Sequence, residues 1–167
     1  MMRKSKLIIT ITSILLAALM LTGCKWGKKP SPDYPEPPED SNAETFVETD
    51  EGKLDKNEGG GAVGLTYQTD VTVSIGSGSV GLFFANPSRS VDNLSIVLYV
   101  DGFRVAESGV IQPGNQITTL TLNEVGTRTI KDLGAREGKI LVEFYNAETN
   151  EKAVVNTEIP VRVIVVN

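Results

Sequence analysis

Leu94-Ser95-Ile96-Val97-Leu98-Tyr99-Val100-Asp101-Gly102 is the stretch whose reading decides the fold. Its first seven residues are apolar on nearly both faces, as in a strand with neighbours on either side. Asp101-Gly102 then supplies the residue pair that tight hairpins favour, because both central positions of such a turn need positive φ. A short strand from Phe103 to Ala106 is predicted to pair back on the first. Upstream, Val71, Val73 and Ile75 alternate with Thr72 and Ser74, the period-2 pattern of a half-buried strand. Gly76-Ser77-Gly78-Ser79 is a turn. Val80 to Ala85 is the next strand, stopped by Asn86-Pro87.

Downstream, Val110-Ile111 leads into Pro113-Gly114, which suits a type II turn with glycine at its positive-φ position. From Gln116 to Leu122, Thr118, Leu120 and Leu122 alternate with Ile117, Thr119 and Thr121. Residues 123–138 carry Gly126, Gly134 and Gly138, and read as a loop or a short helix around Ile130 to Leu133. Ile140, Val142 and Phe144 mark another strand, followed by a turn over Asn146–Asn150. The last run, Ala153 to Val166, sets Val161, Val163 and Val165 on one face, and Pro160 predicts an edge or a bulge there. About seven short strands divided by turn signals, with no long helix, predict an all-β domain over 63–167, a β-sandwich. A closed barrel is the alternative.

Residues 24–62 differ in kind. Pro30, Pro32, Pro35, Pro37 and Pro38 are interleaved with Asp33, Glu36, Glu39 and Asp40, and Gly59-Gly60-Gly61 closes the stretch. Tyr34, Phe46, Val47 and Leu54 are the few large apolar residues. Such a segment buries too little surface to offset its ordering entropy, so a disordered, extended acidic linker is predicted. Asp55-Lys56-Asn57 with Gly60 at the sixth position resembles a calcium loop only faintly. Its twelfth position is Thr66 where a glutamate is needed, so a solvated linker is the better reading.

The N-terminus carries Arg3, Lys4 and Lys6 and no acid, followed by an apolar run from Leu7 to about Leu21. That run is shorter than the roughly 20 residues a permanent membrane helix needs. A basic flank, a short apolar run and a small residue before a cleavage point define a secretory signal, here residues 1–23. Leu21-Thr22-Gly23-Cys24 resembles the lipobox of bacterial prolipoproteins. The resemblance implies that Leu21, Thr22 and Gly23 are recognised by a type II signal peptidase, and that Cys24 carries diacylglycerol. Two acyl chains hold a protein on a membrane stably where one does not. The expected location is extracytoplasmic, lipid-anchored to the outer face of the cell membrane. Lys25, Trp26, Lys28 and Lys29 would then lie next to anionic headgroups or form part of a solvated tail.

A second resemblance covers most of residues 80–167. Asn86-Pro87, Leu98 to Gly102, Glu107-Ser108-Gly109-Val110-Ile111-Gln112-Pro113-Gly114 and Leu120-Thr121-Leu122 are similar to a pattern of small secreted lipoproteins of Gram-positive Firmicutes. It implies an immunoglobulin-like sandwich and a surface location, and brings little biochemical function with it. The chain departs from that pattern by inserting Thr127 to Arg136.

Composition narrows the chemistry. The chain has no histidine, which excludes Ser-His-Asp and Cys-His catalysis and the commonest zinc ligand. Its one cysteine is committed to the anchor, so neither a disulfide nor a thiol nucleophile is expected. The signal holds three of the 16 basic residues and none of the 21 acidic ones, leaving 13 against 21, a net of −8. That balance argues against nucleic acid as a partner. Neither a cofactor nor a metal is expected. The favoured reading is a non-catalytic interaction module that meets an envelope or extracellular protein through loops Ser88–Asn93, Asn123–Glu137 and Asn146–Glu151. A structural subunit of an envelope assembly is a narrower form of it, using the Pro160 strand or residues 117–121 as an edge for strand addition. A carboxylate-dependent hydrolase is the less favoured class, since Asp70, Asp92, Asp101, Glu143, Glu151 and the other acids read as solvated. A solute-binding protein of a transporter is disfavoured by a single all-β domain.

Overall fold

The computed structural model describes residues 36–47, 52–55 and 61–167. Within them lie β1 (Glu44–Thr45), β2 (Thr66–Tyr67), β3 (Asp70–Ser74), β4 (Ser79–Asn86), β5 (Asn93–Val100), β6 (Phe103–Glu107), β7 (Asn115–Thr121), β8 (Gly134–Tyr145) and β9 (Thr157–Val166). One short helix, α1 (Glu124–Thr129), separates β7 from β8. β3 to β9 are the expected seven strands, each of five residues or more.

Local chemistry sets the turns. Asp101 (φ 50°) and Gly102 (φ 83°) both take positive φ, and the β5–β6 hairpin closes on them. Gly114 (φ 89°) allows the chain to turn at Pro113-Gly114, where the Asn115 N–H donates to the Gln112 carbonyl at 3.0 Å.

All strands join one sheet, in the order β1-β7-β4-β3-β9-β8-β5-β6, with β2 paired to β4. The pairings between strands are antiparallel except that of β3 with β9, which is parallel. β3 pairs β4 on one side and β9 on the other, so it joins the leaf β7-β4-β3 to the leaf β9-β8-β5-β6. The domain is an all-β, immunoglobulin-like sandwich whose two leaves are one curled sheet, a half-barrel. A closed barrel does not form, because a single bridge, Ala106–Leu122, brings the far ends of the sheet together.

The core lies between the leaves. Val73, Phe84, Leu98, Ile117, Leu120 and Ile140 are among its fully buried members. Burying each such side chain is worth roughly 1.5–3 kcal/mol relative to leaving it in water. β5 is covered along almost its whole length, as its sequence predicts.

The structure differs from the sequence reading at four places. In β7, Ile117 and Leu120 both face the core although three positions separate them. Opposite them β4 carries an irregularity between Gly81 and Phe84, where Leu82 and Phe83 stand against Thr118 alone, and this resets the alternation. The short helix covers Glu124–Thr129 rather than Ile130–Leu133, because Asn123 caps it: its Oδ1 accepts the Gly126 N–H at 2.8 Å. β8 begins at Gly134, before the apolar alternation starts, because β9 supplies a paired strand as far as Val165. The last strand starts at Thr157 rather than Ala153.

Part of the expected linker is also ordered. Residues 36–47 form a strap along the segment Gly109–Gln116, with Glu39 bridged to Val110 and Glu44–Thr45 paired to β7. Residues 52–55 and 61–64 dock on Ser88–Asp92. A disordered reading of 24–62 is therefore corrected for these residues. Long-range backbone pairing, which apolar content does not report, supplies the order.

Candidate interaction surface

At one end of the sandwich a cleft of ≈ 800 Å³ opens between β8, the 146–155 segment and residues 61–63. Phe144, Val63, Ala153, Val154 and Val155 give it an apolar wall, and Asp92, Asn146 and Glu151 its polar groups. Val154 is 100% exposed and Val155 71% exposed. The chain leaves the sheet after Lys152, which bridges Tyr145, and does not rejoin it until Thr157. The two valines are thus displayed between sheet elements, not buried within one.

Beneath this segment lies a polar triad. The Lys152 Nζ donates to Glu143 Oε1 at 2.5 Å, and the Tyr145 hydroxyl donates to Glu143 Oε2 at 3.0 Å. Burial alone would raise the Glu143 pKa, but the Lys152 and Tyr145 bonds, aided by the charges of Lys152 and Arg104, outweigh it and hold the carboxyl below its usual range. Burial, first, and then the neighbouring Glu143 charge push the Tyr145 hydroxyl up, against a hydrogen bond with Ser95. Glu143 is half-buried here rather than solvated, and its role is to clamp the 146–152 turn to β8.

Of the three predicted contact loops, Asn146–Glu151 lies on the cleft. Asn146 Oδ1 accepts the N–H groups of Glu148 and Thr149 at 2.9 and 3.1 Å, which fixes the turn. Ser88–Asn93 is instead covered for most of its length, with Ser88 still exposed. Lys53 Nζ donates to the carbonyls of Ser88 and Ser90 at 2.6 and 2.9 Å, and Gly64 N–H donates to Ser90 Oγ at 2.9 Å. Asp92 is buried, not solvated, with Oδ2 accepting the Ala62 N–H at 3.2 Å. Asn123–Glu137 is not a loop, being largely α1 and the first residues of β8. Asp92 and Glu151 share the cleft but differ in setting: Asp92 holds residues 61–62, and Glu151 stands exposed in the turn.

The sheet edges are managed in three ways. α1 packs on β6, where Asn123 N–H donates to the Val105 carbonyl at 2.9 Å and Asn123 Nδ2 to the Arg104 carbonyl at 3.1 Å. Arg162 N–H donates to the Thr69 carbonyl and Ile75 N–H to the Val166 carbonyl, so even-numbered residues of β9 turn their peptide groups toward β3. Pro160 shares that parity but lies before the β3 pairing begins at Arg162, so its nitrogen, which has no hydrogen, faces an unpaired side. The predicted edge at Pro160 is real, and proline blunts it. The predicted edge at 117–121 begins beside the strap, which pairs with Asn115 and Gln116.

Leu21, Thr22, Gly23 and Cys24, and residues 56–60 of the calcium-like stretch, lie outside the described residues. Among the described residues no three His, Cys, Asp or Glu side chains form a metal cluster, and no helix is long and apolar enough to cross a membrane. Sequence reading missed Val154, Val155 and the strap. Val154-Val155 carries the same β-branched signature as the strand beyond it, from which only Asn156 separates it.

No protein-family model matches the chain, and no curated protein matches it. Among solved structures it is similar to the periplasmic chaperone SfaE, at 13% identity and a TM-score of 0.38, over 61% of this chain and 56% of that one. It is similar to the YadV chaperone at 14% identity and a TM-score of 0.38, over 62% and 51% of the two chains. AggA, the major subunit of aggregative adherence fimbriae type I from Escherichia coli, is similar at 12% identity and a TM-score of 0.28, over 62% of this chain and 94% of its own. The chain spans about half the length of the two chaperones.

Proposed function

We propose that this chain is an extracytoplasmic lipoprotein, attached through Cys24, whose immunoglobulin-like domain binds an envelope or extracellular protein without catalysing a reaction. The attachment reading rests on the sequence Leu21-Thr22-Gly23-Cys24 behind its basic and apolar regions. The binding reading rests on one observation: Val154 and Val155 stand in water on the rim of a cleft with an apolar wall. Apolar side chains grouped and rimmed by polar groups mark contact surfaces, whereas scattered ones do not. Asn146 and Glu151 supply the polar rim.

The test is proximity labelling from the chain in its own host, comparing wild type with Val154→Asp/Val155→Asp. Both valines are exposed, so the variant keeps its fold, and its thermal transition should stay within about 1 °C of wild type. The labelled neighbour set should shrink. An unchanged set of labelled neighbours would remove the cleft from the binding surface.

A further inference from the structure

The strap 36–47 lies on the domain almost without using the core. The strap enters the apolar cluster only through Ala43, and Phe46 meets Phe83 edge-on at 6.1 Å between ring centroids. Its hold is otherwise backbone and carboxylate. Asp40 N–H donates to the Val110 carbonyl at 2.9 Å, and Val110 N–H to the Pro38 carbonyl at 2.8 Å. Phe46 N–H donates to the Gly114 carbonyl at 2.7 Å. Asp40 is 8% exposed, with Oδ2 accepting the Gly109 N–H at 2.7 Å and Oδ1 the Asn42 N–H at 2.8 Å. Gly109 is shaped for this crossing, because a Cβ there would sit 2.5 Å from the Pro38 carbonyl oxygen and 2.7 Å from the Asp40 backbone.

Two consequences follow from that inventory. Lifting the strap leaves the packed strands intact, since their apolar contacts involve it only at Ala43 and Phe46. Lifting it also uncovers the backbone groups of Gly109, Val110 and Gly114 and the β7 edge at Asn115–Gln116, and an uncovered edge recruits another extended segment. Residues 36–47 are themselves complementary to this edge, as their pairing with Val110 and Asn115–Gln116 shows. We propose that the strap is exchangeable between copies: residues 36–47 of one chain occupy the Gly109–Gln116 edge of a second chain. An exchanged strap makes the same contacts as a retained one, which is why swapping an element is a low-cost route to association.

Two single-cysteine chains test this, each full length and carrying Cys24→Ser so that no other thiol is present. One has Thr45→Cys and the other Asn115→Cys, positions directly opposed in the β1–β7 pair. Opposed residues of antiparallel strands lie within disulfide reach. In a mixture, these thiols meet only when the strap of one chain sits on the edge of the other. Mildly oxidised mixtures should give a 45–115 linked dimer about tenfold above a Thr45→Cys plus Asn150→Cys control, which reports chance collision. Excess peptide of residues 36–47 should suppress the link. Gly109→Ala in the Asn115→Cys chain should abolish it while leaving the circular dichroism spectrum unchanged. Linkage no greater than the control, while Thr45→Cys and Asn115→Cys in one chain close fully within the monomer, would overturn the exchange and leave a strap that serves only its own domain.

Discussion

Glu143 shows how a surface carboxylate becomes a fixed part of a fold. Its neighbours in β8 point into the core, so it faces outward, yet Lys152 and Tyr145 close over it. Because its folded pKa lies below the unfolded value of roughly 4.3, the pair stabilises the fold above that pH, and the contribution is lost as pH falls through the folded value. Lys152→Met should therefore be less stable than wild type by about 1 kcal/mol at pH 7, and the difference should shrink at an acid pH below the folded value. Urea midpoints at the two pH values measure it. A gap that persists at low pH would mean that Lys152 acts through packing of its methylenes and not through charge. Asn86 acts on the same scale: its Nδ2 donates to the Asp92 carbonyl at 3.1 Å and to the Ile111 carbonyl at 2.9 Å, tying together the two segments on which residues 36–47, 52–55 and 61–64 dock.

Among the elements, α1 is the least autonomous, since six residues cannot sustain a helix without help. Its help is the Asn123 cap, the Glu124–Arg128 ion pair at 2.7 Å and close approach to β6 at Gly126. Asn123→Ala removes the cap and the bond to Arg104, and should cost about 1 kcal/mol, a fall of about 4 °C in Tm by calorimetry. An unchanged Tm would mean that packing of Ile130 alone holds the segment. The elements also differ in how plainly they can be read from residues. β5, the Asp101-Gly102 hairpin and the Pro113-Gly114 turn are legible because local chemistry decides them. The strap is not, because Asp40 looks solvated until Gly109 and Val110 arrive from some seventy residues away to receive it, and Glu39 and Glu44 are held through their backbones with side chains exposed. Nor is the start of β8, where Gly134-Ala135-Arg136-Glu137-Gly138 has poor strand propensity and takes its conformation from β9. Of the candidate surface, the Asn146–Glu151 turn was legible from its composition, whereas the exposure of Val154 and Val155 depends on where pairing stops.

Across the whole molecule, the proposed lipid site and the sandwich are separable. Cys24 lies twelve residues before the first described residue, and the buried core residues come from Val71 onward, with only Ala43, Val63 and Leu65 packing on them from before it. Cys24→Ser should leave the domain folded, with the same thermal transition, while the protein moves from the membrane fraction to the medium or accumulates unprocessed. Incorporation of labelled palmitate should disappear with it, and retained membrane association with no acyl label on the wild type would refute the anchor. The parallel pair β3–β9 bears on the order in which such a chain becomes a protein. Asp70 pairs with Arg162 and Ser74 with Val166, so the first strand of the core waits for the last. A contact spanning about ninety residues forms late, and here it joins the two leaves. A chain still emerging from its ribosome therefore lacks the strand that completes the domain. Folding finishes only once Thr157–Val166 is free to pair, so the earlier strands stay open until then.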